Sequence, residues 1–232
     1  MMTAPDQLPD NNRLALRHVA RACNKASLAS LLAGSGGAPY ASLVTVAFDH
    51  DLAPILLLSG LSDHTKNIMA DPRVSLLLDG TQNHANPQTG PRVTLTGRAE
   101  RSTDPRLTAR FLARHPAAAL YAGFADFAIW RIQPERAHFV GGFGRAVWFD
   151  APFGLDPNGL AECEQDLLSA INTTHADALT RLGAGWRVTA LDVDGMDLAN
   201  QDDFRRMTFP APVADAPQTL AAAGEVLRPL GL

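Results

Sequence analysis

An apolar run, Ile55 to Leu58, breaks off at Ser59 into a turn carrying Ser62, Asp63, His64, Thr65 and Lys66, and the turn passes straight into a helical pattern from Asn67 to Ala70. That order of residues restricts the fold more than any other stretch of the chain. A strand that hands its C-terminal end to a helix start presents unsatisfied N–H groups and the positive end of a helix dipole at the junction. Hydroxyls, an ammonium and an imidazole gathered there make a seat for a phosphate. The same residues also serve an ordinary helix start, with Ser62 or Asp63 as N-cap and Lys66 in solvent. Spacing alone leaves both uses open.

The remainder of the chain bounds what such a junction belongs to. Its 232 residues exceed one small barrel, and domains commonly run to roughly 100–200 residues. We therefore expect a loose tail over 1–12, a first domain over 13–150 and a second over 151–232. The opening MMTAPDQLPDNN is polar and lacks the basic start and apolar core of a secretory signal. No apolar run approaches the ~20 residues of a membrane span, so no membrane partner is expected. With 20 basic against 24 acidic residues and no dense basic cluster, neither is a nucleic-acid partner. Cys23 and Cys163 are the only cysteines; free, buried thiols in a reducing cytoplasm are the expectation.

Leu14 to Leu32 is rich in Ala and Leu and predicts a helix closed by the Gly34–Gly37 loop. His18 and Lys25 fall on its polar side. Tyr40 to Asp49 and Pro54 to Ser59 predict two strands around a tight turn at His50-Asp51, and Val74 to Leu78 a third. Gly80 to Gly90 is a polar loop, expected to be mobile, with His84 in solvent. Arg92 to Glu100 is the fourth strand, Asp104 to His115 a capped helix with Leu107, Phe111 and Leu112 inward, and Ala117 to Ala125 a short helix. Arg101, Arg106, Arg110 and Arg114, set among Glu100 and Asp104, read as a solvated face. Phe127 to Ile132 and Arg136 to Val140 are two strands separated by a turn at Gln133-Pro134-Glu135. Beyond residue 150 the pattern becomes a helix over Glu162 to Leu182, a strand over Trp186 to Val193, a turn at Asp194-Gly195, a segment over Asp202 to Phe209 and a last helix over Ala214 to Leu227. His175 and Asp177 stand two apart on a helix and do not share a face, so they form no local metal pair. His175 reads as a buried, hydrogen-bonded helix residue.

The strand, turn and helix start from Ala53 to Pro72, followed by Asp71-Pro72-Arg73-Val74-Ser75-Leu76-Leu77-Leu78 and by Arg92 to Ala99, resemble the FMN-binding split-barrel family of pyridoxamine 5'-phosphate oxidase and its relatives. Val140-Gly141-Gly142-Phe143-Gly144-Arg145-Ala146 resembles a subgroup that includes the bacterial heme-utilisation proteins. Asn172 to Leu179 is similar to the helical signature of the C-terminal domain of unknown function in that subgroup. The resemblance implies an α+β chain: an antiparallel FMN-binding split β-barrel with flanking helices, followed by a small α/β C-terminal domain. It also implies a homodimer with the site at the subunit interface. His64, Thr65 and Lys66 are expected at the flavin phosphate, Ser59 and Arg92 near the ring or ribityl chain, and Arg145 at the open face. Two departures are visible. After Arg145 the chain reads Ala146-Val147-Trp148-Phe149 where the vitamin oxidase carries a basic, histidine-containing segment. No histidine follows His175, whereas the heme-utilisation relatives take their axial iron ligand from a C-terminal segment.

There is no dinucleotide-binding glycine signature, phosphate-binding Walker loop, paired metal-ligand spacing or nucleophile elbow in the sequence. The Gly141–Gly144 run lets the backbone approach a flat ligand, and Arg145 beyond it suits a carboxylate or phosphate as well as a plain surface position. The expected function is that of an FMN flavoprotein, an oxidoreductase acting on a small-molecule substrate, with the chemistry supplied by the cofactor. The alternatives are a heme-binding or heme-degrading protein on the same barrel, and a cofactor-free binding module.

Overall fold

The computed structural model describes residues 8–156, 159–201 and 203–228, with side chains from Asn12 onward. Of the expected N-terminal tail, residues 1–7 lie outside this range, as does Asp202. The chain divides into two compact units, Met1–Phe111 with Ala119–Gly154, and Leu112–Ala118 with Leu155–Leu232.

The first unit runs α1 (Leu8–Ala22), β1 (Lys25–Leu31), β2 (Pro39–Thr45), β3 (Ala47–Phe48), β4 (Pro54–Ser59), α2 (Asp63–Ala70), β5 (Arg73–Asp79), β6 (Arg92–Ser102), α3 (Pro105–Arg114), β7 (Phe127–Val140) and β8 (Ala146–Asp150). Its strands pair antiparallel in the order β2-β1-β5-β6-β7-β4-β3, with β8 added to β7. The sheet curls into a split barrel around Leu28, Ile55, Leu76, Val93, Leu95 and Ile132, all fully buried. Each such side chain contributes about 1.5–3 kcal/mol through burial. The split is visible in the pairing. β2 bonds β1 alone, and the last residues of β4, Leu57 to Ser59, bond β7 alone. Two strand edges with unpaired backbone groups therefore face each other across the opening.

Several expectations change here. The helix foreseen from Leu14 to Leu32 ends at Ala22, and β1 takes up the rest. Ala26, Leu28 and Ser30 point into the barrel while Lys25, Ser27 and Ala29 point out. That period of two belongs to a half-buried strand, and the abundance of Ala and Leu concealed it. The glycine loop closes a hairpin instead of a helix, with Gly34, Gly36 and Gly37 at φ of 73, 65 and 79°. Gln133 to Glu135 is no turn: β7 is continuous, and the extra residue is absorbed as a bulge opposite Thr96 and Gly97. Gly97 is required there, since a Cβ would stand 2.2 Å from the Gln133 carbonyl oxygen. The short helix foreseen at Ala117 to Ala125 is a 3-10 turn over Pro116–Leu120.

The arginines expected on a solvated face are largely structural. Arg106 grips Asp49 through two nitrogens at 2.5 and 2.9 Å. Buried Arg110 donates to the Phe48 carbonyl at 3.1 Å and meets His50 Nε2 at 3.1 Å. Arg131 pairs with Asp51 and stands 3.6 Å from Asp49. The turn between β3 and β4 is thus fixed by charge. Burial alone would raise the Asp49 carboxyl, but the hydrogen bonds from Arg106 and the His50 amide, with the charges of Arg106 and Arg110, hold it well below the usual carboxylate range.

The second unit contains α4 (Leu160–Thr174), α5 (Ala176–Arg181), β9 (Arg187–Asp192), β10 (Gly195–Ala199), β11 (Phe204–Thr208) and α6 (Ala216–Leu227), its three strands antiparallel in the order β11-β10-β9. Asn172 docks α4 onto β9 by bonding both the amide and the carbonyl of Val188 at 2.8 Å. Arg206 bridges Asp197 at 2.8 Å and Asp192 at 2.9 Å. Arg114, also buried, lies over the Phe204 ring. The single helix foreseen over Glu162 to Leu182 breaks at His175, which ends α4 and opens α5 and is half-exposed, not buried within a helix. Cys23 is buried and Cys163 half-buried, both as free thiols. Among the described residues no helix is long and apolar enough to cross a membrane.

Candidate functional site

β4 is apolar and buried throughout until Ser59, where the chain must turn. Ser59 Oγ donates to Asp126 Oδ2 at 2.5 Å and accepts from the Leu61 amide at 3.1 Å, while the Gly60 amide reaches the Asp126 carbonyl at 2.6 Å. The start of α2 is held from below by Asn67, which is buried, donates to Ser30 Oγ at 3.1 Å and accepts from the Ala33 amide at 2.9 Å. This anchoring places the first turn of α2 beside the barrel's split.

A groove of about 480 Å³ runs along that split, within the range of small-molecule sites. Leu43, Val44 and Thr45 of β2 form one wall, and Leu57, Leu58 and Ser59 of β4 the other. Tyr121 and Phe127, with ring centroids 5.0 Å apart, add an aromatic side. Its polar residues are Thr45 on the wall, Ser59, Ser62 and His64 at the helix start, Tyr121 on the aromatic side and Lys25 at the foot of β1. His64 Nδ1 lies 3.2 Å from Ser42 Oγ. Burial lowers the imidazole's affinity for a proton, against a smaller opposing pull from Asp63, so the ring favours its neutral form.

The residues singled out in the sequence separate into three groups. Ser59 and His64 line the groove. Thr65 is 2% exposed and spends its hydroxyl on Ser62 Oγ at 2.8 Å, while Ser62 also bonds the Ser59 carbonyl at 2.7 Å. Lys66 is turned to solvent, its side chain 57% exposed and 3.3 Å from Asp63. Arg92 and Arg145 do not line the groove. Arg92 turns back on its own loop, donating to the Gly90 carbonyl at 3.2 Å. Arg145 bonds Asn12 and lies over the Phe139 ring, 5.4 Å from its centroid.

Lys25 is the groove residue that sequence reasoning passed over. Assigned to a helix, it read as a solvated side chain. Once β1 is a strand, the register sets Lys25 against Thr45 of the groove wall. The signal available was the alternation of Lys25, Ser27 and Ala29 with Ala26, Leu28 and Ser30.

Known proteins bear on this arrangement. Over 152 residues the chain is 32% identical to the chloroplastic heme oxygenase HOZ of Arabidopsis thaliana, a match covering 61% of this chain and 46% of the relative, so it spans about half of that protein's length. A protein of unknown function from Agrobacterium tumefaciens superposes with a TM-score of 0.74 at 27% identity, over 97% of this chain and 98% of the other. A heme binding protein from Mycobacterium smegmatis does so with a TM-score of 0.56 at 26% identity, over 99% of each chain. The family model described as CREG, beta-barrel matches residues 9–152, which take in the whole groove. That match covers more than half of the chain, and the chain belongs to the CREG beta-barrel family.

Proposed function

We propose that the groove binds heme. The observation that carries this reading is the composition of the groove: two largely apolar strand edges and an aromatic side, with one imidazole, one ammonium and the hydroxyls of Thr45, Ser59 and Ser62. A flat, mostly apolar macrocycle with acidic substituents matches that set. The slot takes the ring, and Lys25 meets a carboxylate. The relatives whose names carry heme, one matched over 61% of this chain and one over 99%, support the same reading. An iron porphyrin seated there supplies ligand binding and electron transfer at the metal. The protein's residues exclude water from one face of the ring and fix its orientation.

FMN is the second reading. The start of α2 favours it, because its first backbone N–H groups can meet a phosphate beside Ser59 and Ser62. Against it, the buried Thr65 hydroxyl is already bonded to Ser62, and a phosphate there must displace that bond. In either case we propose that a second copy of the chain covers the open side of the groove. Leu43, Leu61, Leu120 and Phe124 are all more than half exposed in the single chain, and an apolar rim of this kind favours association.

Titration of the purified protein with hemin, followed by absorbance, tests the proposal. A Soret band that saturates at one heme per chain is expected. Lys25→Ala should weaken binding by about tenfold, the loss of one charge-assisted hydrogen bond. A parallel titration with FMN, read as quenching of flavin fluorescence, should show no binding. Quenching without a Soret band replaces this reading with the flavin one.

A further inference from the structure

We propose that His64 is the axial ligand to the iron of a heme seated in the groove, coordinating through Nε2, with Ser42 as the residue that positions the ring. The inference rests on the heme reading above and specifies which atom the metal meets. Of the seven histidines in the chain, only His64 lines the groove. His50 is buried against Arg110 in the charged turn, His138 is stacked on Trp148 with centroids 4.7 Å apart, and His175 belongs to the second unit.

The ring is already held as a ligand histidine is held. Metal-bound imidazoles keep one nitrogen for the metal and engage the other with a neighbouring group that fixes tautomer and orientation. In His64 the engaged atom is Nδ1, 3.2 Å from Ser42 Oγ. Nε2 has no hydrogen-bond partner among the described residues. Across two elements the geometry is stiff, since Ser42 lies on β2 and His64 in the first turn of the helix that Asn67 pins to β1.

A single imidazole suits a metal that arrives with its own ligands. No group of three or more His, Cys, Asp or Glu among the described residues could hold a bare ion. One imidazole suffices only when a macrocycle supplies the equatorial nitrogens. Lys25 stands opposite Thr45 at the far end of β2 and lines the same groove as His64.

The test compares hemin complexes of the full chain carrying His64→Ala, His64→Gln and Leu43→Glu with the unaltered protein, by absorbance and electron paramagnetic resonance. The proposal expects a histidine-ligated spectrum in the unaltered protein. His64→Ala and His64→Gln should shift the Soret band and change the spin state, with added imidazole restoring the original spectrum. Ser42→Ala should keep the ligation and broaden the signal, as a loosened ring does. If both His64 variants, folded by circular dichroism, give the original spectrum while Leu43→Glu loses heme, His64 is not the ligand and the groove reading survives. If Leu43→Glu also binds heme unchanged, the heme sits elsewhere and both ideas fall.

Discussion

Replacing Asp49 with Ala should lower the stability of the first unit by about 3 kcal/mol, the scale on which breaking a buried ion pair leaves charge uncompensated. Asp49 has a side chain 7% exposed, takes two hydrogen bonds from Arg106 and accepts from the His50 amide. Without it, Arg106, Arg110 and Arg131 crowd one turn, with Asp104 3.5 Å from Arg106 and Asp51 paired to Arg131. The effect carries a pH signature. The folded carboxyl is held below its unfolded value, so the unfolded chain binds the proton first as pH falls. The stabilisation is complete above the ordinary aspartate range near 4 and is lost as pH drops below it. Urea unfolding at pH 7 and pH 3 checks both points. The unaltered protein and Asp49→Asn should differ clearly at pH 7 and by less at pH 3, where the unfolded chain has taken up the proton while the folded carboxyl still keeps its charge. A constant difference would show that Asp49 acts through packing instead of charge.

Leu43→Glu should leave the fold intact and weaken hemin binding by about a hundredfold, on the order of 2.7 kcal/mol. Leu43 is 73% exposed, so no core contact is lost with it. The substitution puts a carboxylate on the wall of an apolar slot, where an unpaired charge must be desolvated, and near any acidic group that Lys25 holds. Hemin titration beside thermal unfolding of the unliganded variant separates the two effects. A lowered melting temperature with unchanged affinity would remove Leu43 from the site.

How far the sequence alone led depends on where each signal sits. The passage from Ile55 to Lys66 was legible because its elements are consecutive: an apolar run, a polar turn and a helix start. Ser59 and His64 came with it, and so did the split-barrel fold with its small C-terminal unit. Lys25 did not, because its place in the groove follows from pairing with Thr45 across a hairpin, and an Ala- and Leu-rich segment shows both helical and strand periods. The partner of His64 lies 22 residues away on another strand. Arg110 and Arg114 carry helical spacing whether they face water or, as here, a carbonyl oxygen and a phenyl ring. Thr65 and Lys66 show the converse. Their residue types suit an anion, yet the Thr65 hydroxyl is buried against Ser62 and Lys66 is turned to solvent beside Asp63.

The location of the ligand is the most direct test. Backbone amide shifts of the protein should be followed while a gallium porphyrin, a diamagnetic stand-in for heme, is added. The account predicts that the largest changes fall on Lys25, Leu43, Thr45, Ser59, His64 and Tyr121. Changes confined to the Gly141–Arg145 turn or to the second unit, with β2 and β4 undisturbed, would contradict it.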